Sequence, residues 1–147
     1  MTTPIYPLDI STAVTVTTAN AIASAAYAVA ADKLTLDGTG SSFYADFSLV
    51  PSSMSTAPTY GSFNLIAVDW ALDGTIAGPA PTASLIGRFV GAFSPMPAIG
   101  NALTTWSMTI QKVLVTRKTD FYLFNNGTAQ SLPVGSVLKA QRWTPST

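Results

Sequence analysis

The alternation of apolar and polar residues predicts short β-strands along most of the chain. Residues 12–18 alternate and are rich in β-branched side chains, and residues 43–50 place apolar side chains at every second position. A period of two is typical of a strand that buries one face. The same pattern predicts further strands at residues 62–70, 85–93, 103–116, 119–124 and 136–143.

Two segments depart from this simple pattern. The Ala-rich residues 19–31 fit either a short helix or a strand of small residues, and the β-rich surroundings favour the strand. Within 103–116, the apolar phase changes between Ile110 and Val113. Such a slip predicts a β-bulge near Gln111-Lys112, or a strand that passes from one sheet to another.

Turn residues separate the predicted strands. Residues 51–61 and 71–83 are rich in Pro, Gly, Ser and Thr and are predicted loops, and Asn125-Asn126-Gly127 is the strongest hairpin signal in the chain. About eight short strands with little or no helix predict an all-β fold, a two-sheet antiparallel β-sandwich. A jelly roll fits this pattern best, and an immunoglobulin-like sandwich is the alternative.

The first eleven residues differ from the rest. Pro4 and Pro7 favour extended backbone, so residues 1–11 are predicted to form an extended N-terminal arm, followed by a single β-sandwich domain at 12–147. An apolar extended segment packs either on a partner or on its own domain. On the first interpretation, the arm contributes the predicted interface residues Ile5, Tyr6, Leu8 and Ile10.

The missing residue types argue against catalysis. The chain has no His and no Cys, and all seven acidic residues are Asp. Without these side chains there is no triad, no thiolate metal site and no imidazole base. Asp37-Gly38-Thr39 and Asp73-Gly74-Thr75 are the paired acidic motifs, and we interpret both as Asp-Gly turns rather than an acid–base dyad. We therefore expect no enzyme activity, no catalytic residues, no cofactor and no metal.

Charge is sparse and unevenly distributed. Charged residues make up 10% of the chain; residues 1–87 hold six Asp against one Lys, and residues 88–147 hold six basic residues against one Asp. The basic residues are too sparse for a nucleic-acid interface, although the separation of acidic and basic residues along the chain could orient neighbouring copies head to tail. A surface rich in Ser and Thr suits permanent contact with other subunits, because covering it removes few ions from water. The alternative is a soluble β domain that acts alone and happens to be rich in Ser and Thr.

Two further features concern location and contact. The N-terminus lacks the basic region of a signal peptide, and the apolar run in 19–31 is too short to span a bilayer, so we expect synthesis in a cytoplasm and no membrane partner. Trp70 and Trp143 stand at predicted strand ends and are candidate interface anchors.

Several turn-and-strand motifs are similar to those of a known group of proteins. They are Ala57-Pro58-Thr59-x-Gly61, Asp73-Gly74-Thr75, Gly87-x-Phe89, and the run from Phe121 through Asn125-Asn126-Gly127-Thr128 and Leu132-Pro133-x-Gly135-Ser136 to Lys139, closing at Trp143-Thr144-Pro145. Over roughly residues 43–145 the chain resembles the head decoration, or cement, proteins of tailed bacteriophages.

The resemblance implies a jelly-roll domain on the outer surface of the virion capsid, made in the host cytoplasm. It implies the major capsid protein and further copies of this chain as partners, with no nucleic acid or membrane and no catalytic residues. An alternative function is a tail or fibre protein that recognises a host sugar through Trp70 or Trp143 and the loop at 71–83.

Overall fold

The part of the chain that the structure describes contains eight β-strands joined by loops and one 3₁₀ turn. The structure is a computed structural model, and it describes residues 13–52, 54, 58, 60–84, 87–93 and 108–145. The strands are β1 (Val14–Thr17), β2 (Leu34–Asp37), β3 (Phe43–Val50), β4 (Ser62–Asp69), β5 (Arg88–Phe93), β6 (Met108–Val115), β7 (Lys118–Asn126) and β8 (Val137–Trp143). The all-β prediction is confirmed, while the predicted arm with Ile5, Tyr6, Leu8 and Ile10 lies outside the described residues.

The strands form two four-stranded antiparallel sheets, ordered β1-β8-β3-β6 and β2-β7-β4-β5. Within them β1 pairs with β8, β2 with β7, β3 with β6 and β4 with β5. These four pairings are those of one long hairpin, rolled so that successive strand pairs alternate between the sheets. The β3–β8 and β4–β7 ladders then close each sheet. This is jelly-roll connectivity, as predicted.

The core lies between the two sheets. On β3, Phe43, Ala45, Phe47 and Leu49 are all buried, and the residues between them are only partly so, which confirms the predicted alternation. The rings of Phe47 and Phe121 meet across the core with their centroids 4.7 Å apart.

The outer face of β4 is also covered. Ile66 and Val68 point away from the core cluster, yet both are buried. Residues of the β4–β5 connection lie against them: a Cβ placed on Gly87 would sit 2.8 Å from Ile66 Cγ2 and 2.6 Å from the Ala67 carbonyl oxygen. Gly87 thus approaches the backbone and side chains of β4 closely, and only glycine fits there.

The predicted bulge lies where the apolar phase changes. Ala45 pairs with Val113 and Phe47 with Ile110, so Gln111 and Lys112 stand opposite a single residue, Asp46. Lys112 has a φ of 58°, and its backbone N–H donates to Asp46 Oδ1 at 2.9 Å. The bulge restores the inward phase, so β6 stays in one sheet.

Residues 19–31 form neither the helix nor the regular strand that the sequence left open. They make isolated bridges at Ile22–Leu132 and Tyr27–Phe124 and lead into a 3₁₀ turn at Ala30–Asp32. The buried Asp32 carboxylate accepts the N–H groups of Ala19 (2.8 Å) and Asn20 (3.1 Å). The Asp32 carboxylate thus satisfies backbone N–H groups that carbonyl groups would accept within a helix, and the segment bends around it. Strand β2, which follows, was missed.

The hairpin prediction at Asn125-Asn126-Gly127 is wrong. The chain does turn here, with Gly127 at a φ of 70°. However, β7 pairs with β2 and β4, whereas β8 pairs with β1 and β3 in the other sheet. The local signal identified the turn, but core packing selected a different partner for β7, so residues 127–136 cross between the sheets.

Candidate interaction surface

All the aspartates in the described ranges accept hydrogen bonds within the fold. Asp37 Oδ1 accepts the N–H of Thr39 at 2.9 Å, and Asp73 Oδ1 accepts the N–H and hydroxyl of Thr75 at 3.0 and 2.8 Å. Each bond to the backbone lowers the pKa of the carboxyl below its usual value. The turn interpretation of both motifs is confirmed. The other four are Asp32, Asp46, Asp69 and Asp120.

No group of three or more potential metal ligands stands together in the described ranges. In the same ranges, no helix is long and apolar enough to cross a membrane.

The rolled hairpin brings the acidic first half of the chain against the basic second half. Lys33 Nζ lies 2.7 Å from Oδ2 of Asp120, which is fully buried, and Thr35 donates to the other oxygen at 2.6 Å. Arg88 lies 3.4 Å from Asp69 at the surface. Lys33 is the one basic residue of the first half and Asp120 the one acidic residue of the second, so their pairing leaves the majority charges of both halves in place, and the charge contrast expected to orient neighbouring copies stays a prediction.

Trp70 follows β4 at the end of the sandwich that holds the loops at 38–42, 70–84 and 116–117, here called the Leu72 end. Its backbone N–H donates to the Lys118 carbonyl at 2.9 Å, and Lys118 Nζ lies 3.8 Å from the centroid of the indole ring. The ammonium occupies one ring face as a cation–π contact. The indole N–H is buried and has no hydrogen-bond partner among the described residues.

Trp143 closes β8 at the same end, but on the outer face of the other sheet. Its ring stacks on Tyr44, with centroids 5.0 Å apart, and its Nε1 donates to Asp46 Oδ1 at 3.1 Å. The two tryptophans therefore share an end of the molecule without forming one aromatic platform. Both are half-buried and held by contacts within the chain.

The Leu72 end also carries two apolar side chains that the sequence pattern did not single out. Leu72 is 76% exposed and Ile76 is 70% exposed. Residues 71–76, here called the Leu72 tip, are held by backbone bonds from Ala71 N–H to the Ile76 carbonyl (2.9 Å) and from Gly74 N–H to the Ala71 carbonyl (2.8 Å). The tip is thus a fixed turn that presents uncovered apolar surface. Two large apolar residues flanking an Asp-Gly turn were its signal in the sequence.

A second apolar surface lies on the outer face of the β2-β7-β4-β5 sheet. This β5 groove has a volume of about 380 Å³, and no charged side chain is among the described residues that line it. Tyr27 stacks on Phe124 with ring centroids 4.4 Å apart, and Phe89 on the edge strand β5 is 59% exposed. The lining includes Tyr27, Asn64, Ile66, Ala83, Phe89 and Phe124. The sequence did not predict this groove, because its residues come from five separate parts of the chain: the segment at 19–31, β4, the β4–β5 connection, β5 and β7.

The outer face of the β1-β8-β3-β6 sheet is different in character. It carries a polar groove of about 220 Å³ beside Trp143, lined by Asp46, Ser48, Thr109, Gln111, Lys139 and Gln141. The two outer faces of the sandwich therefore offer distinct chemistry, one apolar and uncharged, the other polar.

Comparison with known proteins found no relative: no family model, no curated protein and no solved structure matches this chain.

Proposed function

We propose that this chain is a decoration, or cement, protein that binds the outer surface of a tailed-bacteriophage head and bridges its major capsid subunits. The observation that carries the proposal is the Leu72 tip, where Leu72 and Ile76 stay exposed on a turn fixed by its own hydrogen bonds. A turn whose backbone is already fixed loses little backbone conformational entropy on binding, which favours its apolar side chains as interface anchors.

The rest of the Leu72 end fits a contact surface. Trp70 and Trp143 lie there, each fixed by neighbouring side chains. A decoration protein also binds as many copies on one lattice, so multivalency makes modest single-site affinity sufficient.

The chemistry of the aspartates supports a binding role over catalysis. Each of those described is engaged by a backbone N–H, a hydroxyl, an indole or a cation of the same chain. A general acid or base must instead reach a substrate with its carboxyl group. These aspartates therefore stabilise turns and link neighbouring strands through hydrogen bonds and ion pairs.

We expect the double variant Leu72→Ser/Ile76→Ser to bind shells at least tenfold more weakly than the wild-type chain, because it removes the apolar anchors and leaves the turn intact. The measurement is the number of copies that co-sediment with phage heads assembled without this protein. The matched control is Val134→Ser, since Val134 is 56% exposed in the β7–β8 connection at the opposite end of the sandwich.

Wild-type occupancy by the double variant would contradict the proposal, as would an equal loss for the Val134 control. So would a natural copy number of only a few per virion, which indicates a tail component. Sugar recognition, the alternative, would place ligand in the polar groove beside Trp143, because Lys118 already occupies one face of the Trp70 ring. Binding in a glycan screen that Trp143→Ala abolishes would favour that alternative.

A further inference from the structure

Strand β1 is an edge strand whose free side meets no other strand among the described residues. It pairs with β8 and stands first in the order β1-β8-β3-β6. The Thr18 N–H donates to the Ser136 carbonyl at 2.8 Å and continues the β1–β8 register. In an antiparallel ladder, every second residue turns its N–H and C=O away from the partner strand. Val16 therefore bonds to β8 as Thr18 does, and Thr15 and Thr17 direct their backbone groups to the free side.

The other three edge strands carry features that oppose pairing with another chain. β6 contains the bulge at Gln111-Lys112, and its lysine is exposed. β5 begins at the exposed Arg88 and has a register shift against β4. β2 begins after Lys33 and ends at the exposed Asp37. Bulges and charges on an edge hinder the addition of a strand, whereas β1 has no charge and no register shift against β8.

The free edge of β1 is complementary to itself. When two copies align β1 against β1 about a two-fold axis, Thr15 of each copy faces Thr17 of the other, and both pairs exchange N–H···O bonds. The outward-facing backbone groups of β1 are then satisfied without any other chain. We propose that β1 forms this antiparallel pair with β1 of a second copy, so that the β1-β8-β3-β6 sheets of two copies join into one continuous sheet.

The side chains of β1 fit this pairing. Val14 is 42% exposed, and Val16, two residues on, packs partly against the core, so both lie on the inner face of the sheet. The pairing brings the valines of two copies side by side on that face, where Val14 loses exposed apolar surface. Contacts between β-branched side chains on neighbouring antiparallel strands stabilise such a pair.

The sequence before β1 does not favour a return of the same chain along this edge. Ile10-Ser11-Thr12-Ala13 contains no Gly or Asn, the residues that tight hairpin turns prefer. Pro4 and Pro7, which precede it, have no N–H to donate to a strand edge. The β1 strand of a second copy contains no proline and offers an N–H at every position.

Analytical ultracentrifugation of the full-length protein tests the pairing. We expect the wild-type chain to dimerise as its concentration rises. Thr15→Glu/Thr17→Glu should raise the dimer dissociation constant at least tenfold, because carboxylates of the two copies would face each other. Within one copy, Lys139 lies opposite Thr15 and gives the new glutamate a partner. The matched control, Thr109→Glu, alters an exposed residue of β6, the other edge of the same sheet, and should leave the constant unchanged.

Hydrogen exchange on the unaltered chain shows directly which edge is paired. The backbone N–H groups of Thr15 and Thr17 should exchange at least tenfold more slowly at a concentration where the dimer predominates than where the monomer predominates. The Val16 N–H bonds to β8 in both states and is the internal control.

Four results would overturn the inference. They are a monomer at every concentration, a dimer that Thr15→Glu/Thr17→Glu does not weaken, an equal weakening by Thr109→Glu, and slow exchange at Thr15 and Thr17 that is independent of concentration. The last would mean that residues 1–11 of the same chain cover the edge.

The inference does not rest on the capsid proposal, because the pairing of β1 leaves the Leu72 tip uncovered. None of the four results would change shell binding by the Leu72 tip, and Leu72→Ser/Ile76→Ser leaves β1 unaltered. Failure of one proposal is therefore distinguishable from failure of the other.

Discussion

At the residue scale, Asn125 shows how one buried amide joins separate segments. It is fully buried, and its Nδ2 donates to the carbonyls of Ile22 (3.1 Å) and Gln130 (2.9 Å). Its Oδ1 accepts the N–H and the hydroxyl of Thr128 at 3.2 and 2.6 Å. Asn125 thereby links the end of β7 to the irregular segment at 19–31 and to the crossover at 127–136.

We expect Asn125→Ala to lower the free energy of unfolding by about 3 kcal/mol, because several buried partners lose their hydrogen bonds at once. Asn126→Ala is the matched control: the neighbouring side chain is exposed and should change stability by less than about 0.5 kcal/mol. Urea unfolding followed by tryptophan fluorescence measures both. Equal effects of the two substitutions would show that the amide network does not stabilise the fold.

At the element scale, the bulge between β3 and β6 depends on a side chain of the opposite strand. Asp46 Oδ1 accepts both the Lys112 backbone N–H and Trp143 Nε1. One carboxylate thus satisfies the donor that the bulge removes from the ladder and also orients the tryptophan that closes β8. The bulge connects β6, β3 and β8, three neighbouring strands of one sheet.

Removing this acceptor should weaken the sheet. We expect Asp46→Ala to lower the free energy of unfolding by about 1–2 kcal/mol, since two donors lose their partner. Asp46→Asn keeps an oxygen in the same place and should lose less than half as much. Urea denaturation gives both values, and an Asn variant as unstable as the Ala variant would mean that charge, rather than the acceptor position, matters.

At the scale of the whole molecule, the rolled hairpin pairs each strand of the first half of the chain with a strand of the second half. Lys33 precedes β2 and Asp120 lies on β7, so this ion pair joins the halves directly. The hydrogen bond to the Asp120 carboxylate raises the pKa of Lys33 above its ordinary value of 10.5. Burial raises the pKa of the nearby Tyr122 phenol above 10.0.

Both shifts predict loss of stability at alkaline pH. A group whose pKa is higher in the folded state stabilises the fold below its unfolded pKa, and that contribution disappears as the pH rises through the folded value. We therefore expect the urea midpoint to fall above about pH 10, where the unfolded tyrosine and lysine begin to lose their protons.

Tyr122→Phe removes the phenol, so its midpoint should fall less steeply than that of the wild-type chain over the same alkaline range. An equally steep fall would show that Tyr122 does not contribute.

The sequence alone determined the features that depend on neighbours in the chain. The alternation of apolar and polar residues predicted the buried face of β3, and the change of apolar phase in β6 predicted the bulge at Gln111-Lys112. The two Asp-Gly pairs predicted two turns. The all-β class of the fold follows from these local patterns, because side-chain period and turn chemistry act over a few residues.

The tertiary structure alone decided which distant segments meet. It made Asn126-Gly127 the start of a crossover, covered the outer face of β4 with the β4–β5 connection, and paired the acidic half with the basic half. It also left the Leu72 tip and the β5 groove exposed. Exposure and strand partnership depend on how the whole core packs, and residues far apart in the sequence set that packing, so no local pattern carries this information.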